Sequence, residues 1–563
     1  MNGKFKVTKI KSWIKENIFS EIVFILTLIA ILLLIGMRAI PGGYDPNFHM
    51  ARIHTLANNI AAGHFPNPIG FNYLGGLGYG VGFFYGNFWL YPFAILVALG
   101  LPVYAVYRLL VVILAIGAMI AINWSTYQLT NRKEIAAIIM PFYVLNNYYI
   151  SMVFGRAAIG EAIAYIFIPL IIIETLNIIT GKPVSYVKYG LLMAGLLVSH
   201  LLSFMMVLGL ITLFLLLNIV TLFRHLKRLL IVIKGGVIGA GISAVFLLPL
   251  IQQYLFQPFR NTAVDDQGNL MLPSSSLNLV TAINPKSINL LQQGYVGPLI
   301  IILVIIAIIF WLIKIKQSTI EVRTILISTL FLSLILYSKV IVLFLSDHVK
   351  SINVMQEMWR LNLLLIPLYL FLIATWIANL KLTTSKILGI ISICLLLISF
   401  AFTSKITLGF VRGRYQLLQI NYQTNYGISR GEYLPKAFVK SHPDWRDMTP
   451  KRVVEKEPGV KIKTNNYHEL ILSVPGKMKS VVIPKLYYVG YQYQVKTKNK
   501  LTSFKLVKEN AEGLGIVKLT PTRESKEVIV KYKQTTWAIL GWIISGLTLC
   551  FLVIRLAIKK ESK

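Results

Sequence analysis

At 563 residues, 56% of them hydrophobic and only 14% charged, with a mean hydropathy of +0.68, the chain falls outside the ordinary soluble classes. Mostly apolar runs of about 18 residues or more recur along it, so it reads as an all-α polytopic membrane protein. The formal net charge is +34. Part of it marks the cytoplasmic side: Lys4, Lys6, Lys9, Lys11 and Lys15 at one end, Lys559, Lys560 and Lys563 at the other. Much of the rest lies in residues 404–535, with 25 Lys and Arg against 10 Asp and Glu, a net of +15. Outside a cell, such a surface suits anionic headgroups or anionic envelope polymers and excludes nucleic acid as a partner. Cys394 and Cys550 both sit in apolar runs, so neither a disulfide nor thiol-metal chemistry is expected.

Glu21–Ile40 is the first expected span. Its Lys-rich leader holds the N-terminus inside, and no small-residue cleavage site follows, which makes it a signal anchor. The loop 41–102 is then external. It opens with Gly43-Tyr44-Asp45-Pro46-Asn47-Phe48-His49-Met50-Ala51-Arg52. A carboxylate, an imidazole and a guanidinium at 45, 49 and 52 share one face if the segment is helical. Asp45 before Pro46 also fits a helix N-cap, and the two readings are compatible. His49, Arg52 and His54 fit equally well as residues facing lipid headgroups.

The loop continues through Gly70, Gly75, Gly76, Gly78, Gly80, Gly82 and Gly86 among Phe71, Tyr73, Tyr79, Phe83, Phe84 and Tyr85. No Gly-Lys-Ser/Thr follows, so this is no P-loop. It reads as a mobile aromatic lid, with Tyr79 and Tyr85 as stacking groups, or as a flexible connector. Phe83–Gly100 is short and interrupted by Gly86, Asn87 and Pro92, hence interfacial or re-entrant.

The later spans, taken with alternating direction, are Val103–Leu129, Ile135–Met152, Ala162–Ile179, Tyr189–Leu202, Phe204–Leu222, Gly235–Leu250, Gly297–Ile313, Ile325–Leu345, Leu361–Asn379, Ile387–Phe402 and Trp537–Leu556. That makes about 12, with both termini cytoplasmic. The basic turn Arg224–Lys234 is the clearest inside marker between them. Three expected domains follow: a membrane domain 1–403 carrying the external loop, an extracytoplasmic β-rich domain 404–535, and a last span with its tail, 536–563. Two-residue alternation in Val460–Lys463, Leu470–Val474, Tyr487–Val495 and Val528–Lys533 makes the middle one a small sandwich.

Further ionisable groups fall at external span ends: Arg156 and Glu161, His200 beside Ser199, and Glu357 with Arg360. At membrane depth such groups face a cavity or one another. Each Arg–Glu couple, taken singly, reads as a structural ion pair; together they offer polar groups to one headgroup-level site.

Asp45-x-x-x-His49, Leu56-Ala57, Gly63-x-x-Pro66, Gly78-Tyr79-Gly80 and Phe83-Phe84-Tyr85 resemble the membrane proteins labelled 6-pyruvoyl-tetrahydropterin synthase-related, a label that implies no pterin chemistry here. Arg156…Glu161…Pro169, Trp359-Arg360 and Gly431-Glu432-Tyr433-Leu434-Pro435 fit the same pattern. Ile483-Pro484…Tyr487-Tyr488…Gly490-Tyr491 and Ile529-x-x-Tyr532 are similar to YfhO-type proteins of the GT-C glycosyltransferase group. The chain departs at Gly82 and Asn87, where that group commonly has prolines. The resemblance implies a GT-C-like fold and an inverting transferase that takes a monosaccharide from a polyprenyl phosphate outside the membrane.

Within that implication Asp45 is the base, His49 orients it or binds phosphate, and Arg52, Arg156 and Arg360 bind the donor phosphate. Tyr79, Tyr85, Glu161, His200 and Glu357 support the site. A divalent metal is left open, with Asp265 and Asp266 as distant helpers and no compelling ligand spacing. The acceptor is an anionic envelope polymer such as a teichoic acid or wall polysaccharide. Two other classes stand beside the enzyme: a flippase for a lipid-linked sugar, which Lys339 inside a span favours, and a non-catalytic scaffold whose basic domain recruits partners.

Overall fold

The computed structural model describes residues 2–36, 44–260, 263, 270–284, 294–380, 389, 428, 431–498 and 500–561. The chain is a multi-pass membrane protein, mostly helical, with a β-rich segment before its last helix. Among the described residues six helices are long and apolar enough to cross a bilayer: Ile18–Ile35, Val103–Thr130, Ile159–Thr180, Ile320–Tyr337, Met358–Asn379 and Thr536–Arg555. Two bent pairs bring the number to eight if each is one span.

Among the described residues the expected count of 12 is thus not confirmed. Tyr186–Leu197, Leu201–Leu217 and Pro298–Ile313 are apolar but shorter, and the expected span Ile387–Phe402 lies outside the described residues. Local capping explains where long runs stop. Ile320–Tyr337 ends at Ser338, whose Oγ accepts from the Ile341 N–H at 3.3 Å and starts a new helix, Lys339–His348. Lys339 is thus an exposed residue at a helix start and not an ion at mid-span. Lys133–Val144 and Asn147–Gly155 bend by 45° at Asn146. There the Asn146 Nδ2 donates to the Phe142 and Tyr143 carbonyls at 3.0 and 2.6 Å, so the broken ladder is re-satisfied by a neutral side chain.

Two compact units share the chain, and neither is contiguous in it. The first takes Met1–Pro46, Arg108–Gly239 and Ala263–Leu418; the second takes Asn47–Tyr107, Ala240–Thr262 and Gln419–Lys563. Inner helices of the first unit are Ile159–Thr180 and Met358–Asn379, with 83% of each apolar window buried against 28% for Ile18–Ile35. Tyr143 and Tyr165 stack at 3.9 Å there and exchange hydroxyl-to-carbonyl bonds of 2.6 and 3.0 Å.

In the second unit the strands are β1 (Lys461–Asn465), β2 (Leu470–Val474), β3 (Ser480–Leu486), β4 (Tyr491–Lys496), β5 (Lys505–Leu506), β6 (Lys508–Glu509), β7 (Leu514–Lys518) and β8 (Lys526–Tyr532). They form two antiparallel sheets, ordered β1-β2-β8-β4-β5 and β3-β7-β6. Leu470, Leu472 and Val474 alternate inward opposite Val528 and Val530, as a two-residue period requires. Helix Ala244–Phe256 is tied to this domain by Gln253, which donates to the Val489 carbonyl and accepts from its N–H, both at 3.0 Å. The Gln257 Nε2 adds a 2.7 Å bond to the Tyr487 carbonyl. The first expected loop is bonded to the end of β3: the Leu486 N–H donates to the Leu77 carbonyl at 3.0 Å.

Candidate active site

Helix Tyr44–Ala61 carries the three residues singled out by spacing. It begins at Tyr44, so Asp45 lies in its first turn and not one residue ahead of it; the Asp45 side chain is outside the described residues. His49 and Arg52 are 2% and 3% exposed. One Arg52 nitrogen, Nη2, donates to the Tyr85 carbonyl (3.2 Å), the Gly86 carbonyl (2.9 Å) and Asn87 Oδ1 (2.7 Å). The other, Nη1, is 3.3 Å from His49 Nδ1. A guanidinium can only donate, so Nδ1 accepts and the neutral imidazole carries its proton on Nε2.

The Tyr85 ring lies 4.2 Å from the guanidinium carbon and Phe48 5.5 Å. No carboxylate stands within ion-pair distance of Arg52 among the described side chains, and burial lowers its pKa from the ordinary arginine value. Among the described side chains this buried cation is served by neutral acceptors. Beside it is a small cavity lined by Arg52, Asn59, Asn67, Tyr73 and Asn87, among others. The Arg52 Nε, the Tyr73 hydroxyl and both amide atoms of Asn59 are buried with no hydrogen-bond partner. Asn59 was missed from sequence; Tyr73 entered only as one of the aromatics of the glycine-rich stretch, and Asn87 only as an interruption and a departure from proline.

The glycine-rich stretch corrects the expectation of a mobile lid. Tyr79 is fully buried, pairs with Gly70 through two backbone bonds of 2.8 and 3.0 Å, and donates its hydroxyl to the Glu432 carbonyl at 2.7 Å. Its glycines permit close packing. A Cβ on Gly80 would stand 2.6 Å from the Tyr488 ring, and one on Gly82 2.6 Å from the Pro68 carbonyl oxygen. Tyr79 is a core residue; of the two tyrosines expected to stack, Tyr85, half-buried on Arg52, is the one at the site.

The second group of candidates gathers in the first unit around Glu161. Arg156 makes a fork-to-fork pair with it, Nη1 to Oε1 at 3.2 Å and Nη2 to Oε2 at 2.7 Å. Arg360 Nε also lies 3.2 Å from Oε1, an ion pair without hydrogen-bond alignment, while its Nη1 donates to the Met355 carbonyl at 3.0 Å. So Arg360 pairs with Glu161 and not with its neighbour Glu357, whose Oε2 accepts from the Trp359 Nε1 at 3.1 Å. The Trp359 ring covers the Arg156 guanidinium at 4.4 Å. Two arginines thus converge on one carboxylate. His200 caps helix Leu201–Leu217, with its Nδ1 2.8 Å from Ser203 Oγ.

Among the described residues no three His, Cys, Asp or Glu side chains are grouped to hold a metal; Asp265 and Asp266 lie outside them.

No protein-family model matches the chain, and no curated protein does. Among solved structures it is similar to an arabinofuranosyltransferase, AftD, from Mycobacteria (13% identity, TM-score 0.43, covering 70% of this chain and 27% of that one). It is also similar to an oligosaccharyltransferase of Archaeoglobus fulgidus in the apo form (13%, 0.44, 80% and 59%). The same enzyme tethered to an acceptor peptide containing the NVT sequon gives 11%, 0.40, 79% and 58%. The chain spans less than two thirds of the length of each. Likeness at this level places no residue and assigns no activity.

Proposed function

We propose that the chain is a GT-C-type inverting glycosyltransferase that moves a monosaccharide from a polyprenyl phosphate to a cell-envelope polymer. Its site faces the extracytoplasmic side of the cell membrane. The observation that carries this reading is Arg52: a guanidinium 3% exposed, held by three neutral acceptors and without a carboxylate among the described side chains. A buried charge left that way is costly unless an anion is meant to meet it. The motif resemblance to YfhO-type proteins supports the same reading.

Helix geometry supplies the rest. Asp45 precedes Arg52 by seven residues, about 10 Å along the axis and on the same face. That separation suits a sugar phosphate lying between a base and a phosphate-binding cation. The acceptor hydroxyl attacks the anomeric carbon opposite the phosphate and gives its proton to the Asp45 carboxylate. The anomeric C–O bond breaks, and its electron pair leaves with the prenyl phosphate, whose charge Arg52 stabilises. Phosphate is already a good leaving group, so one carboxylate suffices where a glycosidase needs two. Arg156 and Arg360, the other arginines assigned to donor phosphate from sequence, converge on Glu161 within the first unit, which fixes their geometry.

A flippase takes support from the bend at Asn146, since broken helices mark transporter sites. The residue at that break is neutral and satisfied, and Lys339 is exposed at a helix start, so the charged mid-span site a flippase needs is not supplied by either. The test is transfer in proteoliposomes loaded with polyprenyl-phosphate sugar. Asp45→Asn is expected to lower kcat by about 10²–10⁴-fold while sugar-lipid movement stays unchanged. Unchanged transfer would remove Asp45 as the base.

A further inference from the structure

A second pocket, open to solvent, lies in the second unit between the glycine-rich stretch and the strands. Its walls include His64, Phe71, Tyr467, His468, Lys485 and Tyr491. Lys485, on β3, is 6% exposed. Its Nζ donates to the Gly76 carbonyl at 2.6 Å and sits 4.6 Å from the centre of the Phe71 ring. No carboxylate is within ion-pair distance of it among the described residues. Burial brings its pKa down to about 7. An ammonium buried without a counter-charge is costly, so a fold that keeps one has a use for it.

The other walls have the character of a sugar site. Phe71 and Tyr467 form a continuous aromatic wall, ring centres 4.8 Å apart. The Tyr467 hydroxyl is fixed, donating to Asn72 Oδ1 at 2.8 Å and accepting from Asn58 Nδ2 at 3.0 Å. His64 and His468 stack at 5.5 Å. His64 Nδ1 donates to the Tyr467 carbonyl at 2.5 Å, which turns Nε2 away from that bond. Glu469, the acid in the lining, is neutralised by Lys531 at 3.0 Å. The net result is aromatic faces, hydrogen-bonding imidazoles and one uncompensated cation. Asn67 lines both this pocket and the cavity beside Arg52.

We propose that this pocket binds an anionic sugar unit, one carrying a phosphate or a carboxylate, and that it holds the acceptor polymer beside the transfer site. The second half of that statement rests on the transferase reading; the binding does not. Lys485 meets the anion, and the Phe71–Tyr467 wall takes the apolar face of the ring.

The test uses the full-length protein in detergent at neutral pH and equilibrium dialysis with glucose 6-phosphate, glucuronate, glucose, inorganic phosphate and glycerol 3-phosphate. Both anionic sugars are expected to bind at least tenfold more tightly than glucose, and glucose 6-phosphate more tightly than inorganic phosphate. Lys485→Met is expected to abolish the preference for charge, and His468→Ala, at an exposed position, to weaken both anionic sugars severalfold. Equal binding of glucose and the anionic sugars overturns the proposal, as does a preference that survives Lys485→Met. Inorganic phosphate binding as tightly as glucose 6-phosphate reduces the pocket to an anion site and removes the sugar. Glycerol 3-phosphate binding more tightly than the sugars assigns it to a lipid headgroup and also overturns the proposal. The assay reads binding alone, so loss of transfer with this selectivity intact would fail the transferase reading and leave the pocket standing.

Discussion

Arg52 and Lys485 are both buried cations served by neutral groups, and they call for different substitutions. Arg52 uses one arm of its planar fork, Nη2, for two carbonyls and an amide oxygen, and the other, Nη1, for His49 Nδ1. Arg52→Lys keeps the charge but cannot hold that geometry. Its transfer kcat/KM is expected to fall ten- to a hundredfold in the proteoliposome assay; an unaltered rate would mean the fork is not used. For Lys485 the folded pKa is about 7 against an ordinary 10.5, so between those values the unfolded chain holds more protons. Stability therefore rises as pH goes from about 7 to about 10, where burial no longer opposes a charge. His64, His468, Glu469 and Tyr491 line the same pocket, so the comparison is with Lys485→Met. Denaturation of that variant across pH 7–10 is expected to lack the part of the slope due to this lysine. Spacing made Asp45, His49 and Arg52 legible because helix offsets are local. Nothing local links Arg52 to Asn87, or Arg360 to Glu161, because those contacts depend on tertiary packing.

Among the elements, the glycine-rich stretch shows where composition misleads. Glycines among aromatics look flexible in sequence, yet here the missing side chains let Tyr488 and the Pro68 carbonyl approach the backbone. Gly82→Ala forces a methyl against a carbonyl oxygen at 2.6 Å and is expected to cost about 1–3 kcal/mol, read as a lower unfolding midpoint in detergent. A neutral result would return the stretch to a loose connector. Strands were legible because a two-residue period needs no tertiary information. Long apolar runs were less so: hydropathy finds Ile325–Leu345 but not the Ser338 cap that divides it.

At the scale of the whole molecule, the chain divides into two compact units, neither of them contiguous in sequence. Residues of the first loop and the C-terminal strands share one unit because their backbones bond directly, as Leu77 does with Leu486. The functional account needs that loop to meet a lipid-linked donor and an envelope polymer on the outer side. A single cysteine at position 45, in a chain whose Cys394 and Cys550 are replaced by serine, reports this with a membrane-impermeant maleimide on intact cells. Labelling before permeabilisation is the predicted result. Labelling only after the cytosol is opened would contradict the account.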